Sequence, residues 1–173
     1  MAEQPDRAST MNKTDTPLLG IVAYSGTGKT TLLKQLIPYL RQRGIRIGLI
    51  KHTHHAVDVD TPGKDSFELR KAGADQTMVA SSHRWALMTE TPQQEAPDLG
   101  YLASRFDRSN LDMVLVEGFK HEEMDKIVLH REENGRSLEG LIDSHVIAVA
   151  SNRLPPLVLE SITILDLNKI DEI

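Results

Sequence analysis

Two glycines, a lysine and a threonine set close together are the residues of this chain best suited to hold phosphate. The segment Ala23-Tyr24-Ser25-Gly26-Thr27-Gly28-Lys29-Thr30 has the spacing of a phosphate-binding loop, with Ala23 where the pattern usually begins on glycine. Glycine at 26 and 28 permits backbone conformations that aim successive N–H groups at anionic oxygens. A helix starting near Lys29 adds the positive end of its dipole. Lys29 is then the point charge for the β- and γ-phosphates, and the Thr30 hydroxyl takes a coordination position on Mg²⁺. Tyr24, Ser25 and Thr27 complete the cradle. Thr31 follows as a further contact, although helix packing or local capping explains it as well. The expected ligand is a purine nucleoside triphosphate, GTP foremost. The bland alternative is a glycine-rich turn that merely starts a helix, and the flanking apolar strand and amphipathic helix weigh against it.

A second signal is Glu117. It follows the apolar run Met113-Val114-Leu115-Val116 and precedes Gly118, so a carboxylate stands where a strand leaves its sheet. That is a place for Mg²⁺ or its water shell, and Glu117 is read with Lys29 as catalytic; a charged residue marking a strand exit is the alternative. Lys51 and Lys120, each just past a strand, are candidate anion contacts. Asp60 and Asp65 are candidate switch carboxylates sensing the metal, with Asp65 equally explained as a helix cap. His52, His54 and His55 form a cluster whose spacing could bind Ni²⁺ or Zn²⁺, but a loop whose imidazoles meet an anion is the commoner outcome. Asn168-Lys169-Ile170-Asp171 spells a guanine-reading tetrad. Its alternative is an ordinary polar helix start, and Ser151-Asn152, after a better strand, is the rival base-side position.

The elements that must position these groups alternate between two periodicities. Leu18 to Ala23 reads as a strand, and Lys29 to Arg43 as an amphipathic helix with Leu32, Leu33, Leu36, Ile37 and Leu40 on one face and a kink expected at Pro38. Ile45 to Ile50 returns as a strand after a crossover of helical length, which implies a parallel βαβ unit. Asp65 and Glu68 have capping-box spacing for a helix to Gly73. Gln76 to Ala80 and Trp85 to Thr89, split by Ser81-Ser82-His83, read as an antiparallel hairpin. Leu99 to Phe106 reads as a helix. Leu111 to Val116, Lys126 to His130, Val146 to Ala150 and Ile162 to Leu165 read as strands. The order predicts an α/β fold: a mostly parallel twisted sheet with flanking helices and a β-hairpin insertion, ligand at the carboxyl ends of the strands.

Bulk properties narrow the class. At 173 residues the chain reads as one domain over 17–173 after a polar, disordered leader over 1–16. Cysteine is absent, which removes disulfides, thiolate zinc sites and a cysteine nucleophile, so any metal must sit on oxygen or imidazole. A formal charge of −5 argues against a nucleic-acid partner. No stretch approaches the roughly 18 apolar residues of a membrane helix, so no membrane partner is expected and the default address is the cytoplasm.

The segments AYSGTGKTTLLKQLIP (23–38), GLIKHTHHAVDVDTPGKDSFELRKAGA (48–74), RWALMTE (84–90) and LVEGFKHEEMDKIVLHR (115–131) together resemble the molybdopterin-guanine dinucleotide biosynthesis protein B family. The resemblance implies a relative of the metal-chaperone and dethiobiotin-synthetase branch of phosphate-loop proteins. It implies a homodimer that binds GTP with Mg²⁺, hydrolyses it slowly, handles a molybdopterin-type cofactor and acts with a molybdenum cofactor guanylyltransferase and molybdenum cofactor proteins. It makes Gly26, Gly28, Lys29 and Thr30 the phosphate site, Glu117 the acidic residue at its edge, and the His52 to Lys64 loop a contributor to the site or to cofactor handling. Slow turnover fits the chain, in which no arginine finger or water-positioning glutamine is evident near the loop; such groups are worth about 10³ to 10⁵ in rate. A small-molecule kinase or ligase with its acceptor between Lys51 and Lys120, and a nickel-metallochaperone GTPase using the histidines, are the alternatives. The hairpin, with Trp85 and Leu87, is the candidate dimer contact.

Overall fold

The computed structural model describes residues 16–53, 57–153 and 162–173. His54 and His55, and nearly all of the expected leader, lie outside them. In chain order the elements are β1 (Leu18–Val22), α1 (Lys29–Gln42), β2 (Ile47–Lys51), α2 (Asp65–Lys71), β3 (Gln76–Ala80), β4 (Trp85–Thr89), α3 (Leu99–Ser104), β5 (Met113–Glu117), β6 (Lys126–His130), β7 (Val146–Ser151) and β8 (Thr163–Asp166). They form two compact units, one from the chain up to His52 together with Leu99–Ile173, the other from Thr53–Asp98.

The first unit is a six-stranded sheet in the order β2-β5-β1-β6-β7-β8, parallel at every pairing. Its central strands are covered on both faces, which is why they read as nearly unbroken apolar runs. The pleat sends Ile21, Leu115, Ile127, Leu129, Ala148 and Ala150 to one face, where Leu32, Leu33 and Leu36 of α1 pack on them. Each such leucine contributes about 1.5–3 kcal/mol by leaving water. On the other face Val114 and Val116 meet Leu99 and Ala103 of α3, and Val22, Val128 and Val149 meet Leu138 and Leu141. Helix α1 is one assigned element from Lys29 through Pro38 to Gln42.

The βαβ expectation needs one refinement. β1 and β2 are parallel, but β5 lies between them. That insertion sets Glu117 in register with Ile21 on one side and Lys51 on the other, beside the segment that leaves β1. Some boundaries also shift. β2 begins at Ile47 because Arg46 is engaged ahead of it, its backbone N–H and guanidinium both donating to Asp112. Helix α3 ends at Ser104, and Asp107 then caps a 3₁₀ turn over Arg108–Asn110, accepting from the Ser109 N–H, which delays β5 to Met113.

The second unit holds α2 and the antiparallel β3–β4 hairpin, registered from Gln76↔Thr89 to Ala80↔Trp85 and closed by the Ser81 N–H donating to the Arg84 carbonyl. Its buried centre is charged: the Arg70 guanidinium bonds Asp58, Asp60 and Glu90 at 2.7, 2.7 and 3.0 Å. The capping box expected at Asp65 is not formed. The N-cap is Lys64, without a side-chain cap bond, and Asp65 stands inside the first turn, where its charge faces the positive end of the helix. Met78, Val79, Trp85 and Leu87 of the hairpin are exposed.

Candidate functional site

β1 empties into the glycine-containing turn, and the geometry there is that of an anion cradle. Gly26 and Gly28 sit at φ +82° and +102°, the left-handed region that side-chain-bearing residues avoid. Gly28 is the N-cap of α1 and offers no side chain to the first-turn N–H groups, and that turn carries no acidic residue. Its donors therefore keep their capacity for an outside anion. A methyl group at Gly26 would meet nothing within 4 Å, so this glycine serves backbone conformation, not packing.

Thr27 anchors the turn. It is 3% exposed, its hydroxyl donates to the Tyr24 carbonyl at 3.0 Å, and the same oxygen accepts from the Asn134 amide at 3.0 Å. Its carbonyl accepts from Arg131 Nε at 3.0 Å. Ser25, Thr30 and Thr31 are exposed, the first on the turn and the other two in the first turn of α1.

Lys29 folds back over the turn, its Nζ donating to the carbonyls of Ala23 and Tyr24 at 3.1 and 3.3 Å. Partial burial pulls its pKa below the ordinary lysine value; Glu117 opposes the shift, and Lys51 and Lys120 add to it. Three ammonium groups and one carboxylate therefore share one field. Glu117, 7% exposed, accepts from Lys51 Nζ at 2.6 Å, so the strand-end carboxylate already seats a cation. The chain then turns sharply through Gly118 and Phe119, both at positive φ, and the Phe119 ring stacks on His52 at 4.7 Å. A methyl at Gly118 would lie 2.9 Å from His52 Cβ, so this close approach needs glycine. Lys120 and Arg136 face the Tyr24 ring at 6.0 and 5.2 Å.

The structure thus brings Tyr24, Ser25, Gly26, Thr27, Gly28, Lys29, Thr30, Lys51, Glu117 and Lys120 to one end of one sheet. Asp60 and Asp65 belong to the other unit. Asp60 is bound to Arg70, whose hydrogen bonds hold its carboxyl below the usual range against the opposing effect of desolvation. His52 is the only described member of the histidine cluster. Among the described residues no group of three or more His, Asp or Glu is arranged to hold a metal ion.

Asn168-Lys169-Ile170-Asp171 forms a turn folded back on β8. The Asn168 and Lys169 N–H groups donate to Asp166, Lys169 Nζ pairs with Glu172 at 2.9 Å, and Ile170 packs on the core. Asn152 is also engaged, accepting from the Glu132 N–H and donating to the Glu133 carboxylate.

Arg131 and Asn134 escaped the sequence reading, which saw no arginine near the loop. They contact it from 104 and 107 residues away. The available signal was position: they follow β6, the strand that pairs with β1.

Comparison with known proteins agrees with this architecture. The sequence model of the family described as MobB, molybdopterin guanine dinucleotide synthesis protein B, matches residues 18–152. An Escherichia coli K12 protein named molybdopterin-guanine dinucleotide biosynthesis adapter protein is 65% identical over 160 residues, spanning 92% of this chain and 90% of that protein. A Haemophilus influenzae protein of the same name is 52% identical over 157 residues, spanning 91% and 85%. The crystal structure of Bacillus subtilis MobB is similar with a TM-score of 0.69 at 26% identity, covering 90% of this chain and 94% of that one.

Proposed function

The chain belongs to the MobB family, and from that premise we propose that it is a GTP-binding adapter of molybdopterin-guanine dinucleotide biosynthesis, working in the cytoplasm. The observation that carries the reading is the cradle itself: two left-handed glycines, an uncapped helix start and a partly desolvated Lys29 around one turn. The relatives named as biosynthesis adapters point to the pathway and to a protein partner. A molybdenum cofactor guanylyltransferase is the partner proposed, with a molybdopterin-type cofactor as the second ligand. The exposed apolar residues Trp85 and Leu87 are offered as the contact of a homodimer.

The donor chemistry fits Mg²⁺. The Thr30 hydroxyl and the Glu117 carboxylate are hard oxygen donors, and the latter already carries a cation, the Lys51 ammonium. When bound, the metal supplies charge neutralisation for the phosphates. The protein's own groups do the rest. Backbone N–H groups of residues 26–30 orient the phosphate chain, and Lys29 leaves the loop carbonyls for phosphate oxygens. Lys51 and Lys120 balance the charge at the rim. No catalytic base is assigned, and turnover is expected to be slow without a partner.

Calorimetry with GTP, ATP and the pterin cofactor in the presence of Mg²⁺ tests the reading, with Lys29→Ala as control. GTP binding that Lys29→Ala abolishes supports it. Undiminished triphosphate affinity in that variant refutes it, and turnover of several per second by the isolated protein refutes the slow-GTPase part.

A further inference from the structure

Arg131 stands immediately beyond β6, against the phosphate loop. Its Nε–H donates to the Thr27 carbonyl at 3.0 Å, and a methyl placed on Gly28 would lie 3.6 Å from Nε and 3.8 Å from Nη2. The guanidinium therefore lies over the turn that the N–H groups of α1 face. The two acidic neighbours make their direct bonds elsewhere, although Glu133 still feels the Arg131 charge. Glu132 pairs with Arg153 at 2.7 Å, and Glu133 accepts from the Asn152 amide at 2.8 and 2.9 Å. Among the described residues the Nη groups of Arg131 have no hydrogen-bond or ion-pair partner. A half-buried guanidinium without a counter-ion is costly unless an anion arrives. Lys29 likewise makes no direct ion pair among the described residues and rests on carbonyls of the same loop, with Glu117 acting on it through space. Two cations parked on one loop, neither in a direct ion pair among the described residues, make a site prepared for a multiply charged anion.

We propose that Arg131 is a phosphate-contacting residue of this site, its Nε anchored on Thr27 and its two Nη groups engaging oxygens of the triphosphate as a fork. The anchoring is rigid. Asn134 holds the Thr27 hydroxyl, and Asn152 holds the Glu132 N–H, so the segment carrying Arg131 is tied at both ends. The inference rests on the phosphate-site reading and adds to it an arginine supplied by the chain itself.

The test is calorimetric titration of GTP, GDP and GMP, each with Mg²⁺, into the wild-type protein, Arg131→Gln, Arg131→Lys and Lys29→Ala, with thermal melts of all four. Gln keeps a donor for the Thr27 carbonyl but removes the charge and the fork. Arg131→Gln is expected to weaken GTP binding about 10- to 100-fold, the scale of one or two charge-assisted hydrogen bonds. GMP binding and the melting midpoint should be nearly unchanged, and Arg131→Lys should fall between. Wild-type GTP affinity in Arg131→Gln, alongside its loss in Lys29→Ala, overturns the proposal and leaves the site standing, with Arg131 a loop anchor only. Equal weakening of all three nucleotides with a lowered midpoint also overturns it. Retained affinity in Lys29→Ala removes the underlying site reading, and the proposal with it.

Discussion

Lys126 is fully buried at the start of β6, and its ammonium bonds the Asp143 carboxylate at 2.5 Å and the Lys120 carbonyl at 3.0 Å. The space for its stem comes from Gly20, opposite it in β1; a methyl there would sit 3.2 Å from Lys126 Cγ and 2.7 Å from Met124 Cε. The pair is asymmetric: the lysine side chain is 0% exposed and the Asp143 side chain 40%. Removing Asp143 strands an ammonium in the interior, which costs about 3–5 kcal/mol. Replacing Lys126 by Met keeps the packing and returns Asp143 to water, so the loss is only the charge-assisted bonds, about 1–3 kcal/mol. Asp143→Ala should therefore destabilise more than Lys126→Met, by about 2 kcal/mol. Urea unfolding of both variants at neutral pH, compared at equal slope, measures this. Equal losses, or the reverse order, would refute the reasoning. Because Lys126 also holds the Lys120 carbonyl, Lys126→Met is expected to loosen the Glu117 to Lys120 turn and weaken nucleotide binding beyond what stability alone explains.

Other consequences follow from single geometries. Gly28→Ala places a side chain at φ +102° and should cost about 1–3 kcal/mol by thermal melting, with nucleotide affinity falling in parallel. Hydrogen bonds from the Arg46 guanidinium and backbone hold the Asp112 carboxyl down to about 2, below the ordinary 3.8. A lowered folded-state value means that this contribution to stability is complete above the ordinary carboxylate range and is lost as pH falls toward 2. Carboxyl NMR titration should show Asp112 still ionised at pH 3, and Asp112→Asn should flatten the acid limb of the stability curve. Polar replacement of Trp85 and Leu87 should halve the mass seen by light scattering if the hairpin joins two copies; an unchanged dimer mass removes that contact.

The local features were legible in the sequence. Strand, loop and helix around Gly26 to Thr30 are contiguous, so spacing alone specified them, and the hairpin boundaries followed from alternation broken by Ser81-Ser82-His83. Glu117 could be read because a strand exit is also local. What escaped depends on contacts across the sheet. Lys126 reads as one polar residue at a strand start, and only its pairing with Gly20 shows why it can be buried. The placement of β5 between β1 and β2 carries no local mark, and neither does the reach of Arg131 to Thr27. Asp65 had the right spacing for a cap, yet the chain enters α2 one residue earlier, through Lys64. The 168–171 tetrad stands in a turn after β8, where the Asn168 backbone N–H donates to Asp166 and Lys169 pairs with Glu172, contacts that spacing alone does not show.

The backbone amides themselves offer the most direct measurement. In a ¹H–¹⁵N titration with GTP and Mg²⁺, the resonances of residues 26 to 30 should show the largest shifts and saturate together with the calorimetric isotherm. Saturating shifts confined to other parts of the chain, with those five amides unmoved, would contradict the account.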